Sequence, residues 1–421
     1  MNPAGIESHV RLVLLQWLII IAAAWAFGRL AKKVGQPSVV GEIFAGILLG
    51  PSALGLIWPA EWPVLFPAET QQSLKLLGKL GLILLLFQVG MEFDYGHLRS
   101  RSRTVLAVSA LGIVAPFACG LSIAPWLHRE FAPDTPRFGF QLFFCIALSI
   151  SALPVLGRIL LELKLERTVI GTLGISAAAI DDVVGWILLA VASALVAAKF
   201  NALILLGQVA GVAVFALVLH KIIGPWLRRS WQRGGQRLSR SFLALLLIVL
   251  FGCCLVTNAL GVFAIFGAFL LGVALHQEVG LVKAWREKFS DFVLVAMVPI
   301  FFTNTGLNTE IGSLKTPLAW LACGLVLLVA VAGKLGGCFL AGRLTGQNHR
   351  EAACVAALMN TRGLMALVAI SIGLDLKLLT PELFTMLVIM ALLTTAMTEP
   401  LLRRWLPEEL RRRGRDKVPA V

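Results

Sequence analysis

Apolar runs of bilayer-spanning length follow one another along almost the whole chain, separated by short stretches that carry charge or Gly and Pro. A helix needs ~20 apolar residues to cross a bilayer. The runs predict helices near residues 10–31, 37–55, 74–92, 104–126, 138–160, 167–197 and 201–227. Six more are expected near 240–257, 261–276, 289–305, 317–343, 351–373 and 382–404, leaving no stretch for a soluble domain. The alternating pattern of a membrane barrel strand is missing and the chain has a single Tyr, so a barrel is excluded in favour of a helical bundle. The expected fold class is an all-α membrane protein of about 13 transmembrane helices. The first run is full length, with no basic segment before it and no small-residue cleavage site after it, and reads as a retained helix.

Composition agrees with this pattern. Of 421 residues 58% are hydrophobic and 14% charged, and the mean hydropathy is +0.87, whereas soluble domains carry roughly 25% charged residues. Membrane lipid is therefore the solvent of nearly the whole chain. The formal net charge of +14 could suggest nucleic acid, but the basic residues fall in alternate loops, which accounts for them without such a partner. Arg29, Lys32 and Lys33 follow the first helix, Arg99, Arg101 and Arg103 the third, and Arg158, Lys164 and Arg167 the fifth. Lys221, Arg228, Arg229, Arg233, Arg237 and Arg240 are expected in a loop after the seventh, and Arg403, Arg404 and Arg411 to Arg413 in the tail. The opposite loops hold only scattered charges such as Arg129, Arg137, Lys199, Lys315 and Lys377. The positive-inside rule then puts the N-terminus outside and the C-terminus in the cytoplasm of a multi-pass inner-membrane protein, which requires an odd number of spans. The seven Cys all sit in apolar runs and read as small packing residues.

An internal repeat is visible. Residues 43–50 read IFAGILLG in the second helix and 265–272 read IFGAFLLG in the ninth, helices that the loop charges orient in opposite directions. A weaker echo joins FQVGMEFD, ending at Asp94, to TNTGLNTE, ending at Glu310. Inverted repeats are a signature of secondary transporters, whose site lies near the midplane where the repeats meet. If helices two to six match nine to thirteen, the fifth pairs with the twelfth and the sixth with the thirteenth.

The chemistry concentrates in four of these helices. ISAAAIDDVVGWILLA places Asp181 and Asp182 about fifteen residues from either end of the sixth span. An ionised Asp near the bilayer centre costs at least ~2.5 kcal/mol, so an intramembrane acidic pair reads as a functional site, with a structural pair capping another helix as the alternative. Lys334, in LVAVAGKLGGCF of the eleventh helix, is the only Lys that deep in a span and needs a carboxylate or must lose its proton. Lys75 and Lys79 can snorkel from the outer start of the third helix, and Glu42, near the end of the second, reads as a solvated or surface-paired acid. Two helices look broken at mid-depth. SISALPVLG puts Pro154 inside the fifth span, where the ring removes a backbone hydrogen bond, and MNTRGLM puts Asn360, Thr361, Arg362 and Gly363 inside the twelfth. Half-helix ends can offer carbonyls and dipoles to a cation, with the hydroxyls of Ser149 and Ser151 as further oxygen ligands. For the fifth helix alone a plain proline kink is the alternative.

GEIFAGILLGPSALG, the run from Ser151 through ALPVLGRILLELKL to AAAIDDVVGWILLA, PIFFTNTGL and MNTRGLMALVAISIGL together resemble the monovalent cation:proton antiporter-2 family over nearly all of the chain. The nearest likeness is to plant cation/proton exchangers and their bacterial relatives. The resemblance implies the inverted-repeat sodium/proton antiporter fold with two broken, crossing helices, and a homodimer. It implies an interface domain from residues 10–103 and 240–305, a moving core from 104–200 and 317–404, a linker helix and basic loop at 201–239, and a cytoplasmic basic tail at 405–421. It also implies elevator-like exchange of Na⁺ or K⁺ for protons without a cofactor, with Asp182 binding the cation and Asp181 pairing with Lys334. Ser151 keeps the hydroxyl of a position where relatives often have Thr, whereas Ala366 stands where many have Glu. The chain is expected to lack the nucleotide-binding regulatory domain of longer potassium-efflux members.

Two rivals come from other classes. An intramembrane aspartyl protease needs facing carboxylates from separate helices, and neighbours on one helix point ~100° apart. A sodium-coupled small-solute symporter on a related inverted-repeat fold stays open. Carboxylate, hydroxyl and carbonyl oxygens suit Na⁺, K⁺ and Li⁺ alike, so the residues name no single cation.

Overall fold

The computed structural model describes residues 3–36, 38–91, 102–163, 165, 168–197, 202–235 and 237–406. Of the basic residues used for orientation, Arg99, Arg101, Lys164, Arg167, Lys199 and Arg411 to Arg413 lie outside the described residues. All regular structure among the described residues is helical. The long helices are α1 (Pro3–Lys33), α2 (Ser38–Leu49), α3 (Ala68–Met91), α4 (Ser102–Phe131), α5 (Arg137–Ser149), α6 (Leu153–Glu162), α7 (Val169–Ala197) and α8 (Ala202–Val218). They continue with α9 (Gly224–Arg233), α10 (Arg240–Ala259), α11 (Ala264–Leu275), α12 (Val279–Trp285), α13 (Val298–Leu307), α14 (Pro317–Leu344), α15 (His349–Met359), α16 (Leu364–Asp375) and α17 (Pro381–Trp405).

Nine helices among the described residues are long and apolar enough to cross a membrane, and ten if the pair Val279–Ser290 and Val293–Ser313, bent by 43°, counts as one span. The protein is a multi-pass membrane protein. Counting by length stops short of the thirteen expected, and the segments it leaves out are short ones. The fifth and twelfth expected spans are each two short helices, α5 with α6 and α15 with α16, and the ninth is the 12-residue α11, all shorter than a straight crossing needs.

The seventh expected helix runs further than its hydropathy suggests. After α8 the chain makes a π turn at Leu219–Ile223 and continues as α9, so Lys221, Arg228, Arg229 and Arg233 stand on a helix and not in a loop. Pro225 follows directly on this π turn, the kind of local widening that accompanies a proline inside a continuing helix. Leu227 and Trp231 are buried while Arg229 and Arg233 stay exposed, so amphipathic burial carries the helix past the end of the apolar run.

By internal contacts the chain forms two units. One comprises Met1–Trp25, Leu54–Asp94 and Leu188–Asn304, the other Ala26–Ala53, Tyr95–Ile187 and Thr305–Val421. Residues 26–53 thus group with the segments that carry Asp181 and Lys334.

The glycines of the sequence repeat explain how each unit is packed. Gly50 and Gly272 end the two IF-GILLG-like runs, and Gly90 and Gly306 are the glycines of FQVGMEFD and TNTGLNTE. In the second unit a Cβ on Gly50 would lie 2.5 Å from the Gly306 carbonyl oxygen. In the first unit a Cβ on Gly272 would overlap the Phe87 carbonyl and lie 2.9 Å from the Gly90 Cα. The pairing is reciprocal: the first motif of each half of the chain packs against the second motif of the other half. Without water to drive helices together, close backbone approach through small residues is what holds them, and only Gly fits at these four positions.

The core of the second unit surrounds the broken helices. Ala152, Leu156 and Ile159 of the fifth span meet Ala177 and Ala178 of α7 and Leu358 and Met359 of α15 in one buried cluster, shared with Val108 of α4 and Ala341 of α14.

Candidate functional site

Asp181 and Asp182 lie in the middle of α7, 0% and 2% exposed. The alanines before them keep one face of the helix thin enough for α4, the fifth span and α14 to reach the carboxylate of Asp181. Lys334 Nζ on α14 lies 2.7 Å from Asp181 Oδ2. Ser151 Oγ donates to the same oxygen at 2.9 Å, and Ser109 Oγ on α4 donates to Oδ1 at 2.7 Å. The ammonium also donates to the Gly112 carbonyl at 2.8 Å and the Ser149 carbonyl at 2.6 Å, so its three donors are all used.

Asp182 has opposite surroundings. Both carboxylate oxygens are buried and neither has a hydrogen-bond partner among the described residues. The backbone N–H of Leu153, the first residue of α6, faces this carboxylate. A helix N-terminus carries partial positive charge, which favours an anion there without neutralising it.

Both expected breaks exist, and they touch. α5 ends at Ser149, Ile150 is extended (φ −74°, ψ 134°), and α6 begins at Leu153. The break therefore precedes Pro154, which stands second in α6, where proline is tolerated. The proline starts the second half-helix; it does not interrupt a continuous one. In the other break α15 ends at Met359 and α16 begins at Leu364. Ala152 N–H donates to the Thr361 carbonyl at 3.0 Å, and Ser151 Oγ reaches the Met359 carbonyl at 2.8 Å. A Cβ on Gly363 would lie 2.9 Å from Val155 Cγ2, so the glycine lets the two breaks approach.

Three threonines of α17 hold the second break. Thr395 Oγ1 donates to the Arg362 carbonyl at 2.6 Å and accepts from the Arg362 N–H at 3.2 Å. Thr361 Oγ1 donates to Thr398 Oγ1 at 3.1 Å, and Asn360 Nδ2 reaches the Thr394 carbonyl at 3.5 Å. The Thr395 hydroxyl thus replaces backbone partners that the break removes.

Not every expected residue points at the carboxylates. The Ser149 hydroxyl turns back onto its own helix, donating to the Cys145 carbonyl at 2.7 Å, and it is the Ser149 carbonyl that takes part, through Lys334. Arg362 is fully buried without an acidic partner among the described residues; it donates to the Ala330 carbonyl at 3.1 Å and contacts Met390 Sδ at 2.8 Å. Ser109 was invisible in the sequence. It is one serine in an apolar helix, 72 residues before Asp181, with no motif to mark it. Glu42, read as solvated or surface-paired, accepts from Ser38 at 3.1 Å.

The sodium/hydrogen exchanger transmembrane domain matches residues 18–404, almost the whole chain. The chain belongs to the sodium/hydrogen exchanger family. This exchanger is 38% identical over 402 residues to a protein named Na(+)/H(+) antiporter NhaS4 from Synechocystis, a match covering 94% of this chain and 97% of that one. It is 30% identical to the Na(+)/H(+)-K(+) antiporter GerN of Bacillus cereus, over 92% of this chain and 95% of GerN. It is also 34% identical to cation/H(+) antiporter 19 of Arabidopsis thaliana, over 95% of this chain but 50% of the plant protein. Its fold matches the sodium proton antiporter MjNhaP1 of Methanocaldococcus jannaschii with a TM-score of 0.70 at 15% identity, covering 96% of this exchanger and 98% of that chain. The family is one of transporters, and the paired aspartates of this exchanger lie inside the matched region.

Proposed function

We propose that this exchanger is a secondary active antiporter that moves a monovalent cation, Na⁺ or K⁺, against protons, with Asp182 as the carboxylate both compete for. The observation that carries the reading is the contrast between neighbours. Asp181 is saturated by Lys334, Ser109 and Ser151, while both Asp182 oxygens are buried without a hydrogen-bond partner among the described residues. A buried carboxylate in that condition needs either a proton or a cation, because an isolated charge in low dielectric is strongly disfavoured. Oxygen ligands beyond Asp182 would come from the carbonyls of the two breaks and from Ser151. The relatives named as Na(+)/H(+) and Na(+)/H(+)-K(+) antiporters agree with either cation. No resident cofactor enters this cycle; the ions are its substrates.

The same reading takes thirteen crossings, counting each broken pair and α11 as one, with the N-terminus outside and the C-terminus in the cytoplasm of an inner membrane. It takes a homodimer formed by 10–103 and 240–305 and an elevator-like movement of 104–200 and 317–404. It also takes an electrogenic stoichiometry. If the arriving cation draws Asp181 away from Lys334, the ammonium is left uncompensated in low dielectric and sheds its proton. Two protons then leave for each cation bound. Purified protein in liposomes, assayed for proton flux with Na⁺, K⁺ and Li⁺ in turn, tests the reading: Asp182→Asn should abolish flux with every cation. Persistent cation-dependent flux in that variant overturns it.

A further inference from the structure

A groove of about 500 Å³ lies between α14, α15 and α17 of the second unit, away from the acidic pair. Its walls are Gly336, Phe339, Ala353 and Trp405, with His349 and Arg350 at one end. Three small residues, Gly336, Ala353 and Ala356, line it. A Cβ on Gly336 would meet nothing within 4 Å, so that face of α14 is open and not closely packed. Its volume suits one acyl chain.

The end of the groove is basic. His349 and Arg350 line it, and Arg343 and Arg404 are exposed on the neighbouring turns of α14 and α17. The acids on this end are Glu351 and Glu399, and Glu399 is already engaged by Arg403 at 2.7 Å. We infer that this groove binds an anionic phospholipid, one acyl chain lying along Gly336 and Ala353 and the phosphate held by His349 and Arg350. Trp405, the last residue of α17, also lines the groove, and an indole, apolar with one polar edge, suits a membrane interface. The occupant is a lipid because the groove opens among membrane helices, and an anionic one because the mouth carries excess positive charge, each basic residue favouring such a headgroup about fivefold.

The location connects the lipid to the ion site. Gly336 follows Lys334 by two residues on α14, and α15 runs from His349 at the groove to Met359, whose carbonyl bonds Ser151. A bound lipid braces the two helices that deliver the lysine and the second break.

Native mass spectrometry of the full chain, incubated with phosphatidylglycerol or phosphatidylcholine, tests the site. The wild type should retain one phosphatidylglycerol per chain at least fivefold more than phosphatidylcholine. Gly336→Leu, which fills the groove without backbone overlap, should lose that lipid, while Gly324→Leu, at an equally open glycine elsewhere on α14, should keep it. His349→Ala with Arg350→Ala should remove the preference for phosphatidylglycerol over phosphatidylcholine. Equal retention by the wild type and Gly336→Leu overturns the groove, and equal retention of the two lipids by the wild type overturns the headgroup assignment. A chain ended after Leu406 that binds the lipid only then shows residues 407–421 to be the occupant, and also overturns the proposal.

Discussion

Lys334 and Asp181 form an ion pair, Nζ to Oδ2 2.7 Å, fully buried and drawn together across 153 residues of sequence. The next residue, Asp182, has no such partner among the described residues. Two side chains joined by one peptide bond thus receive different environments, because ~100° of helical rotation turns one toward α14 and α4 and the other toward the start of α6.

Removing one partner of that pair should cost more than removing both. Lys334→Gln leaves the Asp181 charge uncompensated and should lower stability by about 3–5 kcal/mol. The double variant Lys334→Gln with Asp181→Asn should recover most of the loss. Thermal unfolding of the purified variants measures both, and an unchanged transition in Lys334→Gln would show that the pair contributes nothing.

Competition at Asp182 fixes the direction of the pH dependence. A proton on Asp182 removes the charge that attracts the cation, so the half-saturating cation concentration should rise as pH falls. Where the protonated form predominates the rise should approach about tenfold per pH unit for the Asp182 proton alone and about a hundredfold when Lys334 releases its proton to the same cation, since affinity scales with each proton displaced. Initial rates over a range of cation concentrations at several pH values test this, and a flat half-saturating concentration is inconsistent with a shared carboxylate.

Thr395 is expected to position the second break. Thr395→Val keeps the shape but leaves the Arg362 N–H and carbonyl without their hydroxyl partner, a penalty of about 1–3 kcal/mol for each buried group left unpaired. The half-saturating cation concentration should rise several-fold, and Thr395→Ser should restore it. Loss of thermal stability with unchanged cation dependence would assign Thr395 a packing role only.

The reversal potential under imposed gradients decides the stoichiometry. With Lys334 releasing a proton when the cation binds, the cation-loaded site carries one negative charge more than the proton-loaded site, and the potential should shift with voltage as two protons per cation require. A voltage-independent reversal corresponds to one proton per cation and would eliminate the Lys334 step while leaving Asp182 as the binding residue.

Most of the architecture was legible in the sequence because hydropathy acts residue by residue. A lipid solvent forces each segment to satisfy its own backbone, so helices announce themselves as apolar runs, and Asp181, Asp182 and Lys334 stand out as costly exceptions inside them. The break in MNTRGLM was visible for the same reason, since polar residues in a row cannot face lipid. Where a break falls, and which atoms repair it, depends on neighbours. Pro154 marked the fifth span as irregular, but the chain opens before it, where Ala152 N–H and Ser151 Oγ find the carbonyls of Thr361 and Met359.

Partnership was the part that the residues by themselves left undetermined; only the family resemblance paired Asp181 with Lys334. An acidic pair looks symmetrical in one dimension; the tertiary fold gives Asp181 three side-chain donors, from α4, α14 and the break between α5 and α6, and gives Asp182 no side-chain donor among the described residues, because hydrogen bonds act over about 3 Å and only packing brings Ser109, Ser151 and Lys334 that close. The repeat shows the same division. Its letters identify Gly50, Gly90, Gly272 and Gly306 as recurring positions, but their reciprocal pairing follows from backbones in van der Waals contact, a property of two helices together and of neither alone.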